Sequence, residues 1–525
     1  MTRFSLAFGF ALCALLLPAA QAQPGTLDPS FSDDGVFTLQ IDPNVVERGE
    51  AVLPLPDGGL LVGGVSGDDP LLLRLTPDGE LDASFGDAGV LLLPTPAFAG
   101  EVTVGRIVSD GGDGAYLTVN RRSTDDDQAS VSLLLHVLPS GAFDEAFGDG
   151  GIAQLPGERP FVFLGLARQP NGGLVVCGTS LAPNESEIPF VVRFDAGGEL
   201  DESYGPEDAN PFPANESGSP FFPYALTAYA DGRIGVIGSW TESLEDGGVF
   251  AARLTSDGVL DASFGDGGVT VLPASAQEFS LLTAAAVDGA GRLVATGFTT
   301  NFVTANALLV RFDTDGGLDA SFGDGGIVRE SFAEITSGYA LALQPDDTPV
   351  LIGSTGEAQY TQPFVAQYTA SGELDTTFGE DGVVRLDIGQ SAAAIAGALR
   401  PTGEVVVAGH LSDEDGAEFG FLVAQVRGDA LPEAAEPGAG PEAAFALGTP
   451  YPNPTQAEAW VPLGGTAGHV RVELFDALGR QVALVHDGPV REDALRLDLG
   501  KLPAGLYIVR ATDGRHLDTQ RIVKR

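Results

Sequence analysis

The residues best placed to do chemistry in this chain are ones that recur. A polar side chain stands eight positions before an aspartate six times: Arg74 and Asp82, His136 and Asp144, Arg193 and Asp201, Arg253 and Asp261, Arg311 and Asp319, Gln367 and Asp375. Each polar residue lies between apolar neighbours, and each aspartate belongs to a Leu-Asp-x-Ser-Phe-Gly phrase or a near variant. Two chemistries suit such a set. A ring of Arg, His and Gln could surround an anion, or each pair could tie a strand to its following turn through charge-assisted hydrogen bonds. Repetition in every unit favours the tie, because a binding site seldom needs identical copies. The repeated Phe reads as a core plug and the Asp-Gly-Gly segments as turns. Calcium is the alternative occupant of those turns. Neither EF-hand spacing nor the Gly-Gly-x-Gly-x-Asp nonapeptide is present, so no metal or cofactor is expected.

A second set is acidic and does not repeat. Asp68, Asp69, Asp125, Asp126, Asp127, Glu242, Asp246, Asp413, Glu414 and Asp415, with Glu185, Glu187, Glu245, Glu357 and Glu418, fall in variable loops between apolar runs. The topology set out below puts these loops at one end of the molecule, beside segments carrying Phe161, Phe163, Phe221 and Phe222. The rim so formed is either an acidic face for a cationic or cation-bridged partner, or the solvated surface of a protein suited to salt. Catalytic equipment is thin. Residues 23–430 contain only two histidines, His136 and His410, and no His-Glu-x-x-His, Gly-x-Ser-x-Gly, phosphate loop or dinucleotide fingerprint. Carboxylate pairs are too abundant to mark a glycosidase. No catalytic residue is expected.

The elements that must position these residues follow from composition. With 71 Gly, 35 Pro and 44% apolar residues in 525, the chain reads as many short strands joined by tight turns, without long helices or coiled coils. Acidic residues outnumber basic ones 73 to 27, for a formal charge of −46. Such a surface repels phosphate backbones, so nucleic acid is excluded as a partner. The imbalance lies in residues 23–445, which lack lysine; residues 446–525 are nearly neutral, with 10 basic and 9 acidic residues.

Arg3, the apolar run Phe4–Leu17, Pro18 and Ala20-Gln21-Ala22 read as a secretory signal peptide over 1–22, cleaved between Ala22 and Gln23. The run is too short to span a bilayer comfortably, and no membrane span is expected in the mature chain. Removing the signal leaves Cys177 alone in a strand-like run, a buried thiol without an intrachain partner.

The phrase itself recurs from Leu27, Leu81, Phe143, Leu200, Leu260, Leu318 and Leu374, at offsets of 54, 62, 57, 60, 58 and 56. Between phrases each unit repeats a hairpin with a Pro/Asp/Gly turn, a variable loop, a third strand and, after the phrase, a fourth. Four strands per unit in radial repetition predict a β-propeller of seven four-stranded blades. The seventh unit lacks its phrase and fourth strand, and the N-terminal Leu27–Phe31 and Gly35–Gln40 supply them, closing the ring over residues 23–430. The units resemble the delta-60 repeats of bacterial surface and secreted proteins, most fully in Arg253–Gly268 and Arg311–Gly326. That resemblance implies a propeller-type fold and no particular activity. Tyr204-Gly205-Pro206-Glu207 departs from the pattern, which predicts a distorted turn there.

Residues 431–445 form an Ala/Pro/Gly/Glu linker, and a different alternation fills 446–525, predicting a small Ig-like antiparallel sandwich. Tyr451-Pro452-Asn453-Pro454, the Leu-Phe-Asp-Ala-Leu-Gly479-Arg480 stretch, Leu502-Pro503-Ala-Gly505-Leu-Tyr507 and the terminal Ile-Val-Lys524-Arg525 resemble the type A sorting domain of the type IX secretion system. The resemblance implies a Bacteroidetes-like cell and export through the periplasm to the outer-membrane surface or the medium. It also implies type IX machinery as a partner, and removal of the domain on arrival. The expected protein is a monomeric binding or interaction module for an unknown extracellular ligand. A polymer-degrading hydrolase or lyase, and a structural or adhesive component, are the alternatives.

Overall fold

The computed structural model describes residues 24–525 apart from 95–99, 124–129, 157–159, 182–186, 208, 213–219, 242–246, 276–277, 358–359, 414–416, 429–445, 448–454, 456, 465–469, 477–479, 489–493, 504 and 513–516. The described residues hold strands and turns and no helix. The chain divides into two compact units, Met1–Ala430 and Leu431–Arg525.

In the first unit each repeat forms one antiparallel meander. In the first, Glu47–Pro54 pairs with Leu60–Ser66, then Asp69–Leu75, then Val90–Leu92. The Pro56-Asp57-Gly58 turn closes because Asp57 Oδ1 accepts the Gly59 N–H at 2.8 Å and Gly58 takes φ +86°. The first strand of every repeat carries a bulge at the same point, for example between Gly49 and Ala51, Leu282 and Ala284, and Ala394 and Ala396. The bulge sharpens the strand's twist. It also brings a carbonyl against the second strand: a Cβ on Gly297 would stand 1.8 Å from Leu281 O. Glycine therefore occupies that position in six repeats. The second repeat has Val119 there instead, opposite a bulge widened to hold both Gly105 and Arg106.

Successive first strands lie against one another in chain order, and the last, Ser391–Leu399, lies against the first, Glu47–Pro54. The N-terminal strand Val36–Leu39 pairs with Glu418–Val426, and Leu27 bridges Val426, so the chain's start completes the last sheet as the repeat's missing parts required. Apolar clusters fill the spaces between adjacent sheets. One joins Phe31, Phe37 and Phe421 of the last sheet to Leu60, Leu71 and Leu73 of the first, so the core runs across the seam.

The third repeat differs from the four strands expected of it. Among the described residues its sheet has three, Phe161–Arg168, Leu174–Leu181 and Glu187–Phe194. After the divergent Tyr204-Gly205-Pro206 turn, the Val191 N–H of the edge strand donates to Ala209 O at 2.8 Å. Pro211 follows, without an N–H for a ladder. Phe212 then packs on Phe221 and Phe250 of the next sheet, with ring centroids 6.4 and 5.5 Å away.

In the second unit, Ala446–Leu447, Glu458–Gly464 and Ala494–Asp498 form one sheet. Gln481–Gly488, Val470–Asp476, Gly505–Thr512 and Leu517–Lys524 form another. Val461 and Leu497 of the first sheet share a core with Val472, Val509 and Ile522 of the second.

Candidate functional site

The repeated aspartate uses its two carboxylate oxygens for different neighbours. Asp319 Oδ1 accepts both the backbone N–H and the hydroxyl of Ser321, at 3.0 and 2.6 Å. Its Oδ2 accepts Arg311 Nε at 2.9 Å. The same division holds Asp261 between Ser263 and Arg253, and Asp201 between Ser203 and Arg193. A glutamine stands in the arginine's place in one repeat, with Gln367 3.4 Å from Asp375. In the last sheet Gln425 reaches Asp28 at 2.9 Å, a pair separated by 397 residues that stands in the missing repeat's place. His136 holds the repeated position too, with Nδ1 2.9 Å from Asp144 and Nε2 3.4 Å from Asp110.

Each arginine also crosses to the next repeat. Nη1 of Arg193, Arg253 and Arg311 donates to the carbonyls of Ser256, Thr314 and Ala370, at 2.8, 2.6 and 2.8 Å. The repeated aromatic does likewise by packing. Phe264 lies against Gly316, whose missing side chain leaves room: a Cβ there would sit 2.8 Å from the ring, and φ is +84°. Phe85 with Gly141 and Phe322 with Gly372 repeat the contact, and Phe31 with Gly79 makes it at the seam. Burial alone would raise the Asp319 pKa, but Ser321 and Arg311 outweigh it and hold the carboxyl at about 2; Asp261 is held lower still for the same reasons. The pairs therefore tie strand to turn, as expected, and rivet neighbouring sheets as well.

These turns lie at one end of the antiparallel meanders of the first unit. Among the described residues of the expected rim, Asp68, Asp69 and Asp413 lie at the opposite end, where second strands lead into third strands. Asp68 and Asp69 are exposed in a tight turn, with the Asp68 carbonyl accepting Arg121 Nη1 at 3.3 Å. Asp413 is exposed, and its Oδ1 accepts the Ala417 N–H at 2.8 Å. Asp125, Asp126, Asp127, Glu242, Asp246, Glu414 and Asp415 lie outside the described residues, as do Ala22 and Gln23. The expected aromatic contribution to this rim is corrected. Phe161, Phe163, Phe221 and Phe222 belong to first strands rather than loops, and Phe163 and Phe221 are core residues, because a first strand's alternate side chains face the neighbouring sheet. The aromatics exposed here are others, Phe302 and Tyr360.

Sequence reasoning also missed a set of charges on the first strands. Glu50, at the bulge, accepts Arg48 Nε and the Val104 N–H, each at 2.7 Å. Arg48 reaches on to Glu418 at 3.3 Å, and His410 Nε2 stands 3.6 Å from the same glutamate. Burial lowers the His410 pKa and raises that of Glu50. Arg106 Nη2 donates to Thr283 O at 2.7 Å, joining first strands of the second and fifth repeats, which are not neighbours round the circle. The available signal was the charge itself, at positions where other repeats carry small or apolar residues. Cys177 is buried as expected, its thiol pushed up to about 12 by desolvation. Among the described residues no group of three His, Cys, Asp or Glu is arranged to hold a metal ion.

In the second unit Lys524 of the terminal basic motif is held by a turn. Lys524 Nζ donates to the carbonyls of Leu499 at 2.6 Å, Gly500 at 3.0 Å, and Leu502. Tyr507 is buried and its hydroxyl donates to Pro503 O at 2.8 Å. Gly505 pairs with Lys524 across the sheet, while Arg480 and Arg525 are exposed. Tyr451, Pro452, Asn453, Pro454 and Gly479 lie outside the described residues.

Residues 449–525 match the family described as the secretion system C-terminal sorting domain. Residues 55–85, 230–264 and 344–378 match a β-propeller domain of unknown function, DUF5122. No curated protein matches the chain. Among solved structures it is similar to prolyl oligopeptidase B from Galerina marginata, at 12% identity and a TM-score of 0.39, covering 80% of this chain. It spans 55% of the length of that enzyme. It is also similar to the polysaccharide lyase Uly1, at 13% identity and a TM-score of 0.42, covering 77% of this chain and 97% of that one. The protein is thus an all-β propeller with a type IX sorting tail, handled by that secretion machinery and exported to the cell surface or extracellular space. Among the described residues no helix is long and apolar enough to cross a membrane.

Proposed function

We propose that the first unit is a closed seven-bladed ring that binds an extracellular ligand through its non-repeated end, and that the Ig-like second unit is its removable export signal. One observation carries the reading. The repeated polar and aromatic residues are engaged at one end in contacts between neighbouring sheets, whereas the loops at the other end differ from repeat to repeat. A rigid scaffold with variable loops is the usual arrangement of a binding surface. The seven-blade count is supported by the circle of first strands and by the N-terminal segment standing where the seventh phrase is missing. The chain's charge of −46 favours a neutral or cationic ligand over an anionic one.

Fractionation and terminal mass spectrometry of the protein in its native cells test the export reading. A surface or medium species beginning at Gln23 and ending before Tyr451 is expected; a full-length periplasmic species would overturn it. Capture of surface partners by the full chain tests binding. Capture that ignores substitutions throughout the non-repeated loops would overturn the assignment of that end.

A further inference from the structure

Between the sixth and seventh repeats lies an open cleft of about 510 Å³ lined by Tyr360, Gly389, Gln390, Ser391, Ser412, Asp413 and Phe419. Two aromatic residues from different sheets line it. Tyr360 begins the third strand of one sheet and is 43% exposed; Phe419 lies near the start of the third strand of the next. Neither belongs to the repeat. Seven residues before the repeated polar position, Tyr360 has Gly67, Thr304 and Glu418 among its equivalents, and Phe419, six before, has Asp68, Glu187 and Thr361. Phe419 also packs against the apolar cluster of Ala392, Leu411 and Leu422, while Tyr360 stands exposed.

The polar groups beside them are of three kinds. Gln390 is an exposed planar amide, Asp413 an exposed carboxylate, and Ser391 and Ser412 are hydroxyls facing each other as a cross-strand pair. Ser391 Oγ already accepts the Thr361 N–H at 3.2 Å, Ser412 is buried, and Asp413 Oδ1 accepts the Ala417 N–H. The exposed Gln390 amide and the outer oxygen of the Asp413 carboxylate are therefore the groups that face a ligand hydroxyl. A ligand matching this lining has an apolar face for a ring and hydroxyls around its edge. That is the chemistry of a pyranose. Asp413 and the negative surface around it oppose uronates and sulfated sugars.

Resting on the reading of this end as a binding surface, we infer that the cleft is a subsite for a neutral polysaccharide, with Tyr360 and Phe419 as its sugar platforms and Asp413 and Gln390 as its hydroxyl partners. The test is calorimetric titration of the full chain with neutral gluco-, manno- and xylo-oligosaccharides, and with oligogalacturonate as the anionic control. At least one neutral series should bind and the control should not. Tyr360→Ala should weaken that binding tenfold or more and Asp413→Asn several-fold, with thermal melting unchanged. Absence of binding across the neutral series, binding of oligogalacturonate as tight, or binding that ignores both substitutions would overturn the subsite. The broader reading fails separately. If bound oligosaccharide is cleaved and Tyr360→Ala prevents it, the cleft stands and the chain is a degradative enzyme rather than a binding module.

Discussion

At the residue scale, the repeated Arg–Asp pair shows what a buried charge does when every hydrogen bond is met. Arg311 is 2% exposed, bonded to Asp319, Ser321 and Ala370, with its guanidinium 4.3 Å from the Phe322 ring centroid. Removing one partner of such a pair strands the other. Arg311→Met should therefore cost about 3–5 kcal/mol, read from the urea midpoint. Arg311→Gln should cost roughly 1–1.5 kcal/mol, since a glutamine restores one neutral hydrogen bond, as Gln367 makes to Asp375. Equal losses in the two variants would show that the charge is not what matters. The carboxyls also set an acid limit. Asp319 titrates at about 2 in the folded chain, below the usual carboxylate range. Its contribution is complete above about pH 4 and is lost as pH falls through 2. Asp28, Asp82 and Asp201 shift in the same direction. Thermal melting should fall steeply below about pH 4, and Asp319→Asn should flatten that fall.

At the scale of elements, the sorting motif's last residues act on a turn that precedes them by more than twenty positions. Lys524 fastens the Leu499–Leu502 turn, and Tyr507 fastens Pro503 beside it. An ammonium on carbonyls is worth about 1.5–3 kcal/mol. Lys524→Met should lower the unfolding free energy of the second unit by that amount and speed hydrogen exchange over Gly505–Thr512, leaving the first unit unaffected. If exchange there is unchanged, the ammonium does not hold the turn. The third repeat makes the opposite point. Its phrase ends in Tyr204-Gly205-Pro206-Glu207 and Pro211 follows, and among the described residues the repeat has three strands, with Phe212 packed into the core of the next sheet.

At the scale of the whole molecule, closure depends on some seventeen N-terminal residues, Pro24 to Gln40. They supply Val36–Leu39 to the last sheet, Asp28 to Gln425, and Phe31 to the core against the first sheet. Deleting them exposes the edge of Glu418–Val426 and empties a buried aromatic site. The shortened chain should form oligomers or aggregates, seen by light scattering after gel filtration. A monodisperse monomer with unchanged melting would show that closure does not need the segment.

The repeat, the sheets, the complementary ends and the tie between each polar residue and its aspartate were legible in the sequence, because each is set by chemistry within a few turns of chain and copied at a fixed interval. The sorting tail was legible for the related reason that its motifs are short and ordered. Tertiary structure alone decided the rest. It put Phe163 and Phe221 in the core instead of on the rim, since a strand and a loop of the same composition differ only in what they pack against. It turned the arginines into links between neighbouring sheets, carried Arg106 across the circle, and brought Tyr360 and Phe419 to the wall of one cleft. Those contacts join residues from different repeats, in one case 177 positions apart. No local spacing encodes such a meeting; it exists only once the ring has closed.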